Sequence, residues 1–417
     1  MNDKEKLSKS IMVLVASTLI NISIGVLYAW SVFKTEMIEA WGWTSQQSGL
    51  PYTLAIVFFS LAAFLGGRIQ DKFGPRWVVT TGGTLVGIGM IISGLVGNSP
   101  VGMVIGFGVI VGAGIGLAYS CVLPPALKWF HPSKKGFVGG IVVGAFGLAA
   151  VFFAPVAKVL LGSFGIEQTM IMFGVATLLI SVPIAQFIKN PPAGYTPPVP
   201  ENLKNSATEN AQVEEKDYTR AEMLQTARFY YLFPMFLFSS SVGLMIIGNM
   251  SKIATLQGIG AGVVAMLVAF LAVTNSFGRI GGGLMSDKIG RVNALFVVFA
   301  LQAANMVGFM FYQSTAMLMF GIVIVGFAYG TLLSVFPAIT ADLYGKKNFG
   351  ANYGIMYLAW GASGVVAPII ADYFYDKNLV ATGVGSFNTA YLICAIMMAS
   401  LLFVNYLLKR NLQTLKQ

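Results

Sequence analysis

Charge is what this sequence has least of. Only 10% of its 417 residues are Asp, Glu, Lys or Arg, against 56% hydrophobic, where a soluble globular domain carries about 25% charged residues. So little charge cannot cover a water-facing surface, which excludes a soluble domain and leaves lipid to do the covering. Cysteine is nearly absent as well. Cys121 and Cys394 both lie inside apolar runs, which excludes a disulfide framework and metal-ligand spacing and leaves two packed thiols. The single histidine, His131, falls in a short polar loop, where a solvated side chain is expected rather than a metal ligand. No Gly-x4-Gly-Lys-Ser/Thr phosphate loop and no nucleophile–base pair stands anywhere in the chain. An enzyme, a resident cofactor and direct use of ATP are therefore not expected.

What is present is apolar length. A helix needs about 20 mostly apolar residues to cross a bilayer's hydrocarbon layer. Such runs fall at 11–33, 47–67, 77–97, 101–126, 137–161 and 167–188, and again at 229–250, 260–284, 292–312, 315–339, 351–372 and 386–408. The expected fold is all-α and membrane-integral, with twelve transmembrane helices in two pseudo-symmetric six-helix bundles. The bundles occupy 1–188 and 229–417. The segment 189–228 carries Pro191, Pro192, Pro197, Pro198 and Pro200 among many polar residues, reads as a cytoplasmic linker, and has room for a short interfacial helix near Thr219–Thr226. The 48 glycines suit helices that approach one another closely in lipid.

The net charge of +10 could suggest nucleic acid, but its placement does not. Of the 26 basic residues, 21 fall in segments that share a side with the N-terminus, four (Lys34, Lys158, Lys252 and Lys377) fall opposite, and Arg279 falls within a span. That bias puts both termini in the cytoplasm of a cell (inner or plasma) membrane. The basic N-terminus (Lys4, Lys6, Lys9) leads straight into a full-length span rather than into a cleavable signal.

The chain also repeats itself. Gly67-Arg68-Ile69-Gln70-Asp71-Lys72-Phe73-Gly74-Pro75-Arg76 follows the second span, and Gly283-Leu284-Met285-Ser286-Asp287-Lys288-Ile289-Gly290-Arg291 follows the eighth. Lys134-Lys135 is echoed by Lys346-Lys347 after spans four and ten. Glycine permits the sharp turn, and the carboxylate can face a helix N-terminus and pair with a cation across the loop. This doubled Gly-x3-Asp-Lys-x-Gly loop resembles the signature of the major facilitator superfamily, and with the span count and long linker the resemblance covers essentially the whole chain. It implies two halves around a central cavity that opens alternately to each side. It also implies a cytoplasmic gate at Gly67, Asp71, Arg76, Gly283, Asp287 and Arg291. The first copy departs from the pattern at Pro75.

Arg279 lies eight positions before Asp287, about 12 Å up the helix and well inside the core. A charge at that depth is costly and usually faces a cavity and serves function; a guanidinium presents a planar fork that matches a carboxylate. The spans carry no acid at mid-depth, Asp342 and Asp372 falling near span ends. Asn275 stands one turn earlier on the same face. Asn275-x3-Arg279 resembles the acid-x3-Arg pair of the monocarboxylate transporters, and the oxalate/formate antiporters carry Arg at the same place. Gly25-x2-Tyr28-x-Trp30-x2-Phe33, Tyr119 after Gly112, Gly114 and Gly116, and Asn352-Tyr353-Gly354 are similar to the oxalate/formate group. That group pairs its arginine with a lysine in span eleven, where this chain has Trp360. One cation in place of two implies a monoanion such as lactate, pyruvate or formate. The expected substrate contacts are Arg279, Asn275, Tyr119, Tyr329, Trp360 and Tyr28, with protons or a counter-anion as co-transported partner, membrane lipids around the chain and no nucleic acid. An oxalate/formate-type exchanger or an ion-coupled exporter of an unrelated organic solute is the alternative.

Overall fold

A computed structural model describes residues 3–131, 134–192, 194–197, 217–345 and 348–414. The chain enters as α1 (Asp3–Ser23), continues through a 3-10 turn over Gly25–Ala29 and completes its first crossing as α2 (Trp30–Trp41). There follow α3 (Ser45–Phe73), α4 (Pro75–Leu95), the short α5 (Pro100–Met103) running through a π-helical stretch into α6 (Gly112–Trp129), and α7 (Lys135–Ala185). Within the segment 189–228 stands α8 (Arg220–Leu224), and then come α9 (Ala227–Leu256), α10 (Ala261–Ile289), α11 (Arg291–Phe309), α12 (Thr315–Tyr344), α13 (Phe349–Thr382) and α14 (Asn388–Thr414).

Eleven helices among the described residues are long and apolar enough to cross a membrane, one of them the 49-residue stretch Phe137–Ala185. At 1.5 Å per residue that stretch would reach about 74 Å, more than twice the ~30 Å hydrocarbon core. Gly165, at φ 76° and ψ −178°, breaks it, in the gap expected between spans five and six, and the two pieces bring the crossings to twelve. Large apolar side chains on the perimeter, including Val159, Leu179, Phe277, Phe320 and Phe403, are more than half exposed, as a lipid-facing surface requires.

Each crossing reverses direction, so the starts of α1, α9 and α13 share a near face with α8. The ends of α2 and α9 and the start of α3 share the far face. The repeated loops adopt one backbone conformation. Gly74 (φ 82°, ψ 158°) ends α3 and Gly290 (φ 86°, ψ 148°) ends α10, left-handed turns that glycine alone enters without strain. Helix α8 forms where a short helix was expected, closed by a capping box between Thr219 and Glu222. The echo at Lys346-Lys347 lies outside the described residues.

The halves meet where α10 packs against α7, α13 against α3 and α2 against α9. The first crossing ends later than position 33, since helix persists to Trp41, and the seventh runs past 250 to Leu256. Lys34 and Lys252, expected in loops, therefore belong to helices.

Candidate functional site

Small residues bring the central side chains into place. Helices α10 and α12 cross so closely that a Cβ on Gly330 would fall 2.0 Å from the Asn275 carbonyl oxygen and 2.8 Å from the Arg279 nitrogen, and one on Gly278 would fall 2.4 Å from the Phe327 carbonyl oxygen. Any larger residue would push α10 away, and with it Asn275 and Arg279. In α6, Gly112 and Gly116 let α3 approach at Ala55 and Phe59, which sets Phe59 beside Tyr119 with ring centroids 5.2 Å apart. Gly147 of α7 lets α10 approach at Ser276, because a Cβ there would lie 2.9 Å from Ser276 Oγ, while the Arg279 guanidinium beyond it would be at ordinary contact distance, 3.5 Å from Nη2.

Arg279 reaches from α10 across the interface. Its Nη1 donates to the Val143 carbonyl of α7 at 2.6 Å and its Nη2 to the Tyr28 hydroxyl at 3.3 Å. Its electrostatic neighbours are the tyrosines Tyr28, Tyr119, Tyr329 and Tyr357, and no carboxylate among the described residues pairs with it. The guanidinium's Nε and both amide atoms of Asn275 are buried without a hydrogen-bond partner. A buried polar group left unpaired costs about 1–3 kcal/mol, more when charged. A void of about 10 Å³ touches Asn275 beside Tyr28 and Leu271, room for about one water, so the centre must widen to admit an organic anion.

All six expected contacts belong to one connected cluster. Trp360 Nε1 donates to the Tyr329 hydroxyl at 2.8 Å. Tyr28 meets Phe146 edge-on at 5.3 Å, Phe146 meets Tyr119 at 5.0 Å, and Phe59 joins Tyr119 to Trp360 at 4.9 Å. Tyr357 stacks on Trp360 at 5.0 Å. Phe59, Phe146 and Tyr357 were not singled out from the sequence. The first two are aromatics in apolar spans and carry no contrast there, whereas Tyr357 stands three residues before Trp360 on the same helical face and was legible.

The acid expected near the end of span eleven is buried and paired across the halves. Asp372 of α13 is 3% exposed and pairs with Lys34 of α2, itself 2% exposed. Lys34 also donates to Asn249 Oδ1 at 2.7 Å, and Ser45 Oγ donates to Asp372 at 3.0 Å. Nearby, the backbone nitrogens of Ser45 and Gln46 donate to the two oxygens of Asp376 at 2.8 and 2.9 Å. Lys252 sits 3.9 Å from the Tyr375 ring centroid. This cluster closes the far face between the halves.

At the near face, Arg291 pairs with Asp287, donates from Nε to Asp342 at 3.0 Å and from Nη1 to Ser286 Oγ at 2.7 Å. Arg76 Nε donates to Gln186 at 2.6 Å. Both sets of bonds stay within one half instead of joining the two. A Cβ on Gly67 would meet nothing within 4 Å, and one on Gly283 only Ser334 at 3.7 Å, so neither is held to glycine by packing here. The Asp71 side chain lies outside the described residues. Cys121 and Cys394 are both buried.

The family model for the Major Facilitator Superfamily matches residues 11–368 and 304–416. The chain is 27% identical to an oxalate:formate antiporter of Oxalobacter formigenes, over 89% of this chain and 84% of that one. It is 23% identical to monocarboxylate transporter 12 of Rattus norvegicus, over 88% and 78%. Its fold matches the crystal structure of a bacterial homologue of the human lysosomal transporter Spinster with a TM-score of 0.73, at 15% identity and across 98% of both chains.

Proposed function

The chain belongs to the major facilitator superfamily of multi-pass membrane transporters, and we propose that it carries short monocarboxylate anions of the lactate, pyruvate and formate kind by alternating access, coupled to protons. The observation that carries this reading is the buried pair Arg279 and Asn275, with a guanidinium Nε and a whole amide left without partners. A carboxylate entering the widened centre supplies what they lack. One oxygen accepts from the guanidinium and the other from the Asn275 amide, while the amide oxygen is free to take a substrate hydroxyl. Tyr28, Tyr119, Tyr329 and Trp360 enclose the organic part and exclude water. The relatives named for oxalate and formate and for monocarboxylates support an organic anion.

In this reading the near face is cytoplasmic in the cell membrane, both termini are inside, and residues 1–188 and 229–417 move about the linker 189–228. The loops at Asp71 and Asp287 form the cytoplasmic gate. They hold the halves together when the far face is open, so their within-half bonds suit a state closed on the far side.

Asn275 favours a second reading. Where the monocarboxylate transporters carry an acid, an amide holds no proton, and exchange of one anion for another needs none. Uptake of labelled lactate into proteoliposomes, with and without an imposed pH gradient, separates the two. Symport predicts accumulation driven by an acidic exterior. Exchange predicts uptake only against an internal anion. Absence of any saturable lactate uptake would sink both.

A further inference from the structure

Helix α3 begins on a carboxylate that belongs to the other half. Thr44 takes the N–H of Gln47 on its own hydroxyl. The two N–H groups ahead of it, those of Ser45 and Gln46, donate to the two oxygens of Asp376 of α13 at 2.8 and 2.9 Å. The first N–H groups of a helix have no partner inside it, and together they carry about half a positive charge. Asp376 thus satisfies two orphan donors and a helix charge at once. The starts of α5, α8, α9 and α12 are capped by a Ser or Thr of their own segment. Among the described residues, α3 alone draws a cap from the opposite half. The ion pairs at this face run from Lys34 to Asp372 and from Lys158 to Glu36; Asp376 is in neither, and the helix end is what holds it.

The pairing of α3 with α13 gives this contact a role. A Cβ on Gly364 would meet Ile56, one on Gly361 Ser60 and one on Gly354 Phe64, so each step toward the start of α13 is a step toward the end of α3. Ser45 against Asp376 is the far end of that antiparallel register. Carried to the near end, the register sets Asp71 level with Phe349, the first residue of α13, where α13 has no side-chain cap of its own. Each helix N-terminus is therefore level with an aspartate position of the other helix. Rocking the halves apart at the far face pulls Asp376 off α3. Donors and carboxylate then both turn to water, for Asp376 is already half-buried, and the contact tips a balance without locking it. We propose that Asp376 is the far-side latch of alternating access. It caps α3 while the far mouth is shut and releases it as the mouth opens. It so sets the resting balance between inward- and outward-facing forms, against the gate assigned to Asp71 at the other end of the same two helices.

This inference rests on alternating access and not on which solute is carried, so its test needs no substrate. Spin labels on Ala40→Cys and Val380→Cys report the far face, and labels on Trp77→Cys and Ile289→Cys the near face; all four sites are exposed. Cys121 and Cys394, both buried, are replaced by alanine, and label-to-label distances are read by pulsed electron resonance in proteoliposomes. Asp376→Ala should raise the far-open fraction about fivefold or more, as loss of a helix cap implies, with near distances shortening in step. Asp376→Asn should fall between, because its amide oxygen still accepts an N–H. Ser45→Pro removes the Ser45 N–H at the first helical position, where proline is well tolerated, and puts a ring carbon where Asp376 sits. Ser45→Ala keeps that N–H and loses only the hydroxyl bond to Asp372. With Asp376 present, proline should exceed alanine about threefold or more in far-open fraction. In the Asp376→Ala background the two should be equal, which general damage at Ser45 does not produce. A wild-type far-distance distribution in Asp376→Ala, or equal effects of proline and alanine while Asp376 is present, would overturn the latch. Far distances that lengthen while near ones stay fixed would remove alternating access, and the latch with it.

Discussion

The number of cations at the centre predicts which anions the protein accepts. Among the described residues the buried cations are Lys34, Lys252 and Arg279. The first two belong to the far-face cluster, so Arg279 alone faces the aromatic centre. A monoanion is neutralised there. A dianion brings one unpaired charge into a low-dielectric site, at a cost of at least several kcal/mol after relaxation, and even about 2.7 kcal/mol is a hundredfold in affinity. Lactate should therefore displace oxalate in competition binding to purified protein, by a hundredfold or more. Trp360 stands where a second cation would compensate. It is 1% exposed, stacked on Tyr357 and bonded to Tyr329, so replacing it removes packing worth about 3–5 kcal/mol of stability. The informative comparison is then Trp360→Lys against Trp360→Met, which share the lost ring and differ in charge. The lysine variant should favour oxalate over lactate at least tenfold more than the methionine variant does. A wild-type protein that prefers oxalate tenfold, or two variants with equal preference, would refute the single-cation argument.

Two further outcomes follow from the same geometry. Asn275→Leu removes an amide whose two polar atoms are buried without partners, so the empty protein should gain about 1 kcal/mol in thermal unfolding while lactate binding weakens; lost stability with unchanged binding would mean that the amide is satisfied within the protein. Asp287→Asn loses a charged partner of Arg291, and with Asp71→Asn it should shift the inward/outward population, read from modification of an engineered cysteine on each side. Unchanged accessibility and rate in both variants would remove the gating assignment.

Twelve crossings were legible because lipid demands long apolar runs and glycine breaks them. The turns at Gly74 and Gly290 and the break at Gly165 follow from composition and backbone sterics alone. Arg279 was legible for the opposite reason, as a charge among apolar residues. Asp372 was not, because spans drawn near 20 residues put it at a boundary, whereas α13 runs 34 residues from Phe349 to Thr382. Its partner Lys34 lies on another helix far away in sequence, so the pair appears only once the halves are assembled. Lys34 and Lys252 counted as loop charges for the same reason. In the centre the polar members announced themselves, while Phe59 and Phe146, which join them, did not.

The central claim is that Arg279 holds the substrate's carboxylate, and calorimetric titration of lactate into purified protein tests it most directly. Wild type should bind saturably, Arg279→Lys should keep the charge but lose the fork and bind at least tenfold more weakly, and Arg279→Ala should show no binding heat. An Arg279→Ala protein that binds lactate with wild-type affinity would place the anion site elsewhere and contradict the account.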